Sequence, residues 1–150
     1  MPTYLDELAV GQTARFGSYE VTREEVRRFA SAYDPQPFHL DDEAAAANPL
    51  FGRISASGWH TAAMATRMLV DHNRAMGEAW MGSPGVDELR WLRPVYPGDT
   101  LRAETEILEV RPSSSRADLG SVKVRLSVFN QHDDMVMSTI AINLVKRRDA

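Results

Sequence analysis

The 150-residue chain contains no cysteine. That absence excludes disulfides, thiolate nucleophiles and cysteine-bound zinc. No apolar run is long enough to cross a bilayer. The opening Met1-Pro2-Thr3-Tyr4-Leu5-Asp6-Glu7 lacks the basic start and apolar stretch of a secretory signal. Positive charge is in short supply: 17 Lys and Arg stand against 21 Asp and Glu, giving a net charge of −4 and a pI near 5.5. Nucleic-acid binders ordinarily carry a basic excess, so neither nucleic acid nor a membrane is expected as a partner. A cytoplasmic location is expected, and the basic tail Lys146-Arg147-Arg148 reads as a solvated end. The four histidines, His39, His60, His72 and His132, show no metal-ligand spacing. No Gly-x-Ser-x-Gly or phosphate-cradling glycine loop is present, so no metal and no cofactor is expected.

What is present fits one domain over residues 1–150, large enough to bury a core without staples. Gln12 to Glu20 carries a weak strand signal. Thr22-Arg23-Glu24-Glu25 then reads as a capping box, and Val26, Phe29, Ala30 and Tyr33 follow at helical spacing. Pro35 stops that helix. Leu40 to Ala44 opens a second, short helix ended by Asn48-Pro49. Trp59 to His72 predicts a longer helix, apolar on most faces and therefore buried. From Val86 onward the pattern changes to strands: Leu101 to Ile107 alternates, Val122 to Val128 alternates cleanly, and Met135 to Val145 is apolar on both faces. Pro97-Gly98-Asp99 and Gln131 to Asp134 read as turns. The order predicts an α+β fold, an antiparallel sheet curled round a central helix.

The segment Asp34-Pro35-Gln36-Pro37-Phe38-His39 sets a carboxylate and an imidazole five positions apart around two prolines. Fully extended, the pair would lie up to ~17 Å apart, so they share a substrate only if the chain bends. Two readings are open on the residues alone: a rigid bend bearing an acid–base pair, or a Pro-rich connector between helices. Asp34 falls at a helix C-terminus, where the macrodipole pushes a carboxyl pKa upward unless something compensates. Ser57-Gly58 precedes the long helix, with Ser57 as its predicted cap. His60 reads as structural, Thr66 as packed, and His72 and His132 as surface residues.

Three stretches together resemble the MaoC-like dehydratases, which include the R-specific enoyl-CoA hydratases. Tyr33 to Asp41 is similar to the Asp-x-Asn-Pro-x-His hydratase signature, with Gln36 in place of the usual Asn. Phe51 to Gly58 resembles the loop leading into the central helix, with Ser57 where His often stands. Leu89 to Leu101 resembles the strand–turn–strand that follows. The resemblance implies a single hot-dog domain, a sheet wrapped round a long helix. It implies reversible addition of water at the C2–C3 double bond of an enoyl-CoA-type thioester, giving a 3-hydroxyacyl-CoA. Asp34 is then expected to be the principal water-activating base with His39 as partner, although the sequence does not divide those roles. The Gly58 amide is expected to face the thioester oxygen, and Gln36 to orient the pair or the water. The implied partner is an acyl-CoA thioester. Two alternatives stand beside this: a hot-dog acyl-CoA thioesterase and a non-catalytic acyl-CoA-binding domain. The apolar strand Met135 to Val145, with the resemblance, points to a homodimer or a dimer of dimers.

Overall fold

The structure is a computed structural model that describes residues 3–148; Met1, Pro2, Asp149 and Ala150 lie outside the described residues. Strand β1 (Thr13–Glu20) leads into helix α1 (Arg23–Tyr33), followed by the short helices α2 (Pro37–Leu40) and α3 (Asp42–Ala47). Helix α4 (Gly58–His72) comes next, then the strands β2 (Trp80–Trp91), β3 (Thr100–Pro112), β4 (Leu119–Phe129) and β5 (Met135–Lys146). The five strands form one antiparallel sheet in the order β1-β3-β4-β5-β2. The sheet curls round α4, which is the hot-dog arrangement expected above.

Local chemistry accounts for most element ends. Thr22 Oγ1 accepts from the Glu25 N–H at 3.2 Å and starts α1. Glu25 does not complete the predicted capping box: its carboxylate turns instead to Tyr19 and His60. Asp41 caps α3 in the same manner, accepting from the Ala44 N–H at 2.8 Å. Strand β1 bends at Gly17, which has φ +88° and lies beneath Met68 of α4. A Cβ there would meet Met68 Sδ at 2.5 Å, so only glycine lets strand and helix approach this closely.

Helix α4 buries one face, not all of them. His60, Thr61, Met64, Ala65 and Met68 are buried, at the i, i+4, i+8 spacing of a helical stripe. Met64, Ala65 and Met68 pack with Val21, Val26, Leu101, Ala103, Val128 and Met137. Trp59 and Val70, on the other side, are 60% and 54% exposed. The expectation that this helix, apolar on most faces, is buried on most faces is therefore corrected. The β1–β3 flank lies tight against α4, while a groove of about 570 Å³ separates it from β2 and β5.

Three further readings change. Strand β2 begins at Trp80, six residues before the pattern turns to strand at Val86. Gly82, Ser83, Pro84 and Gly85 conceal it, and its pairing with β5 shifts register three times. Strand β5 is held on both edges, by β4 and β2, so it is a central strand and is not available for pairing with another sheet. The tail, though exposed, is not free: Arg147 pairs with Asp6, the Arg148 N–H donates to Asp6 at 2.8 Å, and Arg148 also pairs with Glu7.

Gly120 of β4 sits against backbone. A Cβ would lie 2.6 Å from Leu5 Cδ2 and 2.9 Å from Pro112 Cα, on top of the Arg111 carbonyl. Gly120→Ala is expected to lower stability by about 1–3 kcal/mol, the usual cost of overpacking. Urea denaturation measures it, and an unchanged midpoint would show that the Leu5 end of the core yields instead.

Candidate functional site

The corner between α1 and α2 is built by its prolines. Pro35 prevents α1 from continuing, and Asp34 becomes its C-cap at φ −149°, ψ 67°. The Asp34 N–H still donates to the Ala30 carbonyl at 2.9 Å, so the carboxylate leaves from the last turn of the helix. The Gln36 N–H donates back to the Asp34 carbonyl at 2.8 Å, reversing the chain. Pro37 then occupies the first position of α2, where its missing N–H costs nothing. His39, two residues on, is thereby returned to Asp34. His39 Nε2 lies 3.4 Å from Asp34 Oδ2. The connector between α1 and α2 is therefore also a bend, and it brings the carboxylate and the imidazole together.

The imidazole is oriented from its far side. His39 Nδ1 lies 2.6 Å from the Ser55 carbonyl, which accepts, so Nδ1 carries hydrogen and Nε2 is the nitrogen presented to Asp34. The ring is 4% exposed and walled by Phe38, edge-on at 4.5 Å, and Phe51 at 6.1 Å. A 3.4 Å separation is long for a strong hydrogen bond, so the two groups face one another without a tight mutual bond.

Both oxygens of Asp34 have fixed donors. The Gln36 amide donates to Oδ1 at 2.6 Å, and Ser57 Oγ donates to Oδ2 at 2.7 Å. Burial pushes the Asp34 carboxyl up, but the hydrogen bonds from Ser57 and Gln36, together with the charge of His39, outweigh it and hold the carboxyl below its ordinary range. The upward push expected at a helix C-terminus is thus compensated. Ser57, at the cap position of α4, makes no cap bond, in contrast to its predicted role; its hydroxyl is committed to Asp34.

Gly58 opens α4 directly beyond Ser57. A Cβ at 58 would come within 2.5 Å of the Trp91 indole, so the Trp91 ring lies flat against the helix mouth. Trp91 in turn meets Trp59 edge-on at 5.0 Å. Trp59 also lines the apolar groove, with Ala62, Leu69, Val70, Val86 and Met137. The groove therefore runs along α4 from the residue next to Gly58.

The structure brings together Asp34, Gln36, His39 and Ser57 by direct contact, with Gly58 adjacent. Sequence reasoning missed the Ser55 carbonyl and Trp91; neither carries a local signal, since their partners lie 16 and 33 positions away. His60 is buried against Glu25, His72 stacks on Phe16 at 4.1 Å, and Thr66 is exposed with its hydroxyl on the Ala62 carbonyl. Among the described residues no group of three His, Cys, Asp or Glu could hold a metal ion, and no helix is long and apolar enough to cross a membrane.

The depressed Asp34 pKa has a sign. Its stabilisation is present above the unfolded carboxyl pKa and is lost as pH falls through the lower folded value. Ser57→Ala removes one cause of the depression. It should destabilise the fold by about 1.5–3 kcal/mol near neutral pH, the worth of a hydrogen bond to a charged group, and by progressively less as the pH drops below the carboxylate range. Denaturation midpoints of both proteins across pH 2–7 test this; a difference independent of pH would contradict it.

The model of the MaoC like domain matches residues 7–129. The chain is 32% identical over 143 residues to the uncharacterized protein YdeM of Bacillus subtilis, covering 95% of this chain and 99% of that one. It is 34% identical over 109 residues to the 3-hydroxyacyl-thioester dehydratase Z of Mycobacterium tuberculosis, covering 72% of this chain and 68% of the relative. Among solved structures, a MaoC-like dehydratase from Rhodospirillum rubrum superposes with a TM-score of 0.90 at 38% identity, covering 99% of both chains.

Proposed function

The chain belongs to the MaoC-like domain family, and from that premise we propose that it is a hydro-lyase that reversibly adds water across the C2–C3 double bond of a 2-enoyl-CoA. The observation that carries this reading is the Asp34–His39 pair, 3.4 Å apart, beside the uncapped first turn of α4. Its similarity to a 3-hydroxyacyl-thioester dehydratase supports the same chemistry.

In the hydration direction, water adds through its oxygen to C3 while Asp34, ionised at neutral pH, accepts its proton. Electron density moves from the double bond onto the thioester oxygen. The Gly58 N–H, at the positive end of α4, stabilises that enolate. C2 then takes one proton from the Asp34–His39 pair, so one proton leaves water and one reaches carbon. Ser57 and Gln36 aim the carboxylate by occupying one lone pair on each oxygen. His39, braced on the Ser55 carbonyl, keeps Nε2 toward the reacting water. The groove beginning at Trp59 receives the acyl chain, its apolar walls matching a hydrocarbon. The two departures from the family signature, Gln36 and Ser57, both serve Asp34, which supports a catalytic protein over a binding domain.

Hydration of crotonyl-CoA, followed by loss of enone absorbance, is the direct test. Asp34→Asn and His39→Ala should each lower kcat by at least about a hundredfold, the usual contribution of a general acid–base group, while the proteins remain folded. Full activity in either variant removes the assigned mechanism. Release of free thiol from saturated acyl-CoAs would instead identify a thioesterase, and binding without turnover a carrier domain.

The protein also assembles as a homodimer on this reading, through β2 and not β5. Strand β2 is an edge strand that exposes Met81, Val86 and Trp91. Light scattering should give twice the chain mass, and Val86→Lys should shift the population toward monomer. A monomeric parent protein at micromolar concentration would refute the assembly.

A further inference from the structure

A second polar cluster lies beside the site without belonging to it. The Tyr19 hydroxyl of β1 donates to Glu25 Oε1 at 2.5 Å, and His60 Nε2 of α4 lies 3.0 Å from the same oxygen. The His60 ring is 3% exposed and stacks on Phe29 of α1, with centroids 4.8 Å apart and planes at 8°. Its Nδ1 has no hydrogen-bond partner among the described residues, so the tautomer with hydrogen on Nε2 is the one the surroundings satisfy. A hydrophobic residue would fill the place of the buried His60 at lower cost than an imidazole tied to the half-buried Glu25 and Tyr19. The cluster therefore invites an account beyond packing.

Its position supplies one. Ser57 and His60 are three residues apart and share one side of the first turn of α4. Ser57 is tied to Asp34, at the C-terminal end of α1, while His60 is tied to Glu25, in the first turn of α1. Those two points are nine residues apart, about 13 Å along the helix. Phe29 contacts His60 between them. A single tie is a pivot; two ties so far apart fix both separation and rotation. We propose that Glu25 and His60, with Tyr19 as brace, are positioning residues that clamp the mouth of α4 against α1, so that Gly58 and Asp34 face the same reacting atoms. This rests on the function proposed above for Asp34 and Gly58.

The groups facing Asp34 are Ser57, Gln36 and His39; those facing Glu25 are Tyr19, His60 and Arg28. Cutting the far tie lets α4 turn about Ser57 and loosens the Ser57–Asp34 bond, one of the causes that hold Asp34 low. The Asp34 titration must then move upward. Removing the distant negative charge of Glu25 would, by itself, move it downward, so an upward shift reports lost positioning.

The experiment is carried out on the full chain with Glu25→Ala and the conservative Glu25→Gln. Carbon-13 NMR follows the Asp34 carboxyl, and crotonyl-CoA hydration gives kcat and KM. For Glu25→Ala the Asp34 titration rises, and kcat falls tenfold to about a hundredfold with KM within about threefold, as expected for a displacement on the order of 1 Å. Glu25→Gln, which keeps an acceptor oxygen for Tyr19 and His60, recovers most of both. If Glu25→Ala does not fold, His60→Leu, which preserves an apolar contact with Phe29, is read in the same way. An unchanged or lowered Asp34 titration in the folded variant overturns the clamp whatever the turnover does. Because that titration needs no substrate, an inactive parent protein would defeat the proposed reaction and still leave the clamp decided.

Discussion

The hydrogen bond from Ser57 to Asp34 joins the two segments on which everything else depends. Ser57 stands where a serine would ordinarily cap α4, a role worth about 1 kcal/mol. It gives up that role for a charge-assisted bond of 2.7 Å to the carboxylate at the end of α1. Two consequences follow from one donor. The first-turn N–H groups of α4 lose their side-chain acceptor, and the carboxylate is drawn to the same place. A helix end without a side-chain cap and a carboxyl held below its ordinary pKa are thus set side by side, the arrangement on which the proposed reaction draws.

The fold serves this junction by asymmetry. Strand β1 bends at Gly17 and lies close on Met68, while β2 and β5 stand away from α4. One flank of the central helix is therefore core, and the other faces a groove. Had the sheet closed equally on both flanks, α4 would be buried as its composition suggests, and no cavity would begin at its mouth. The apolar residues Trp59, Leu69 and Val70 that make the helix look like pure core are the ones that line the groove.

What could be read from the sequence was local. Thr22 before an amphipathic run marks a helix start; Pro35 marks its end; alternation across Val122, Val124 and Leu126 marks a half-buried strand. These signals act within a few residues, so they survive without knowledge of the fold. The Asp34–His39 proximity was half legible: the two prolines mark a break between helices, but a bend and a plain connector were both open on the residues alone. Strand β2 was half hidden, since Gly82 to Gly85 have neither side-chain alternation nor strand propensity and are held in place by β5. Three other partners were not legible at all: His60 for Glu25, the Ser55 carbonyl for His39 and Trp91 for Gly58 lie 35, 16 and 33 positions away, and only the tertiary fold brings them there.

The indole of Trp91 against Gly58 ties two distant codons to one another. As long as the indole at position 91 keeps its place, a side chain at 58 collides with it, so a first mutational step at 58 must displace the ring. The permissive order is the reverse: a smaller residue at 91 makes room, after which 58 can vary. Divergence at the helix mouth is thus constrained to a particular historical sequence of changes, set by the van der Waals radius of one ring.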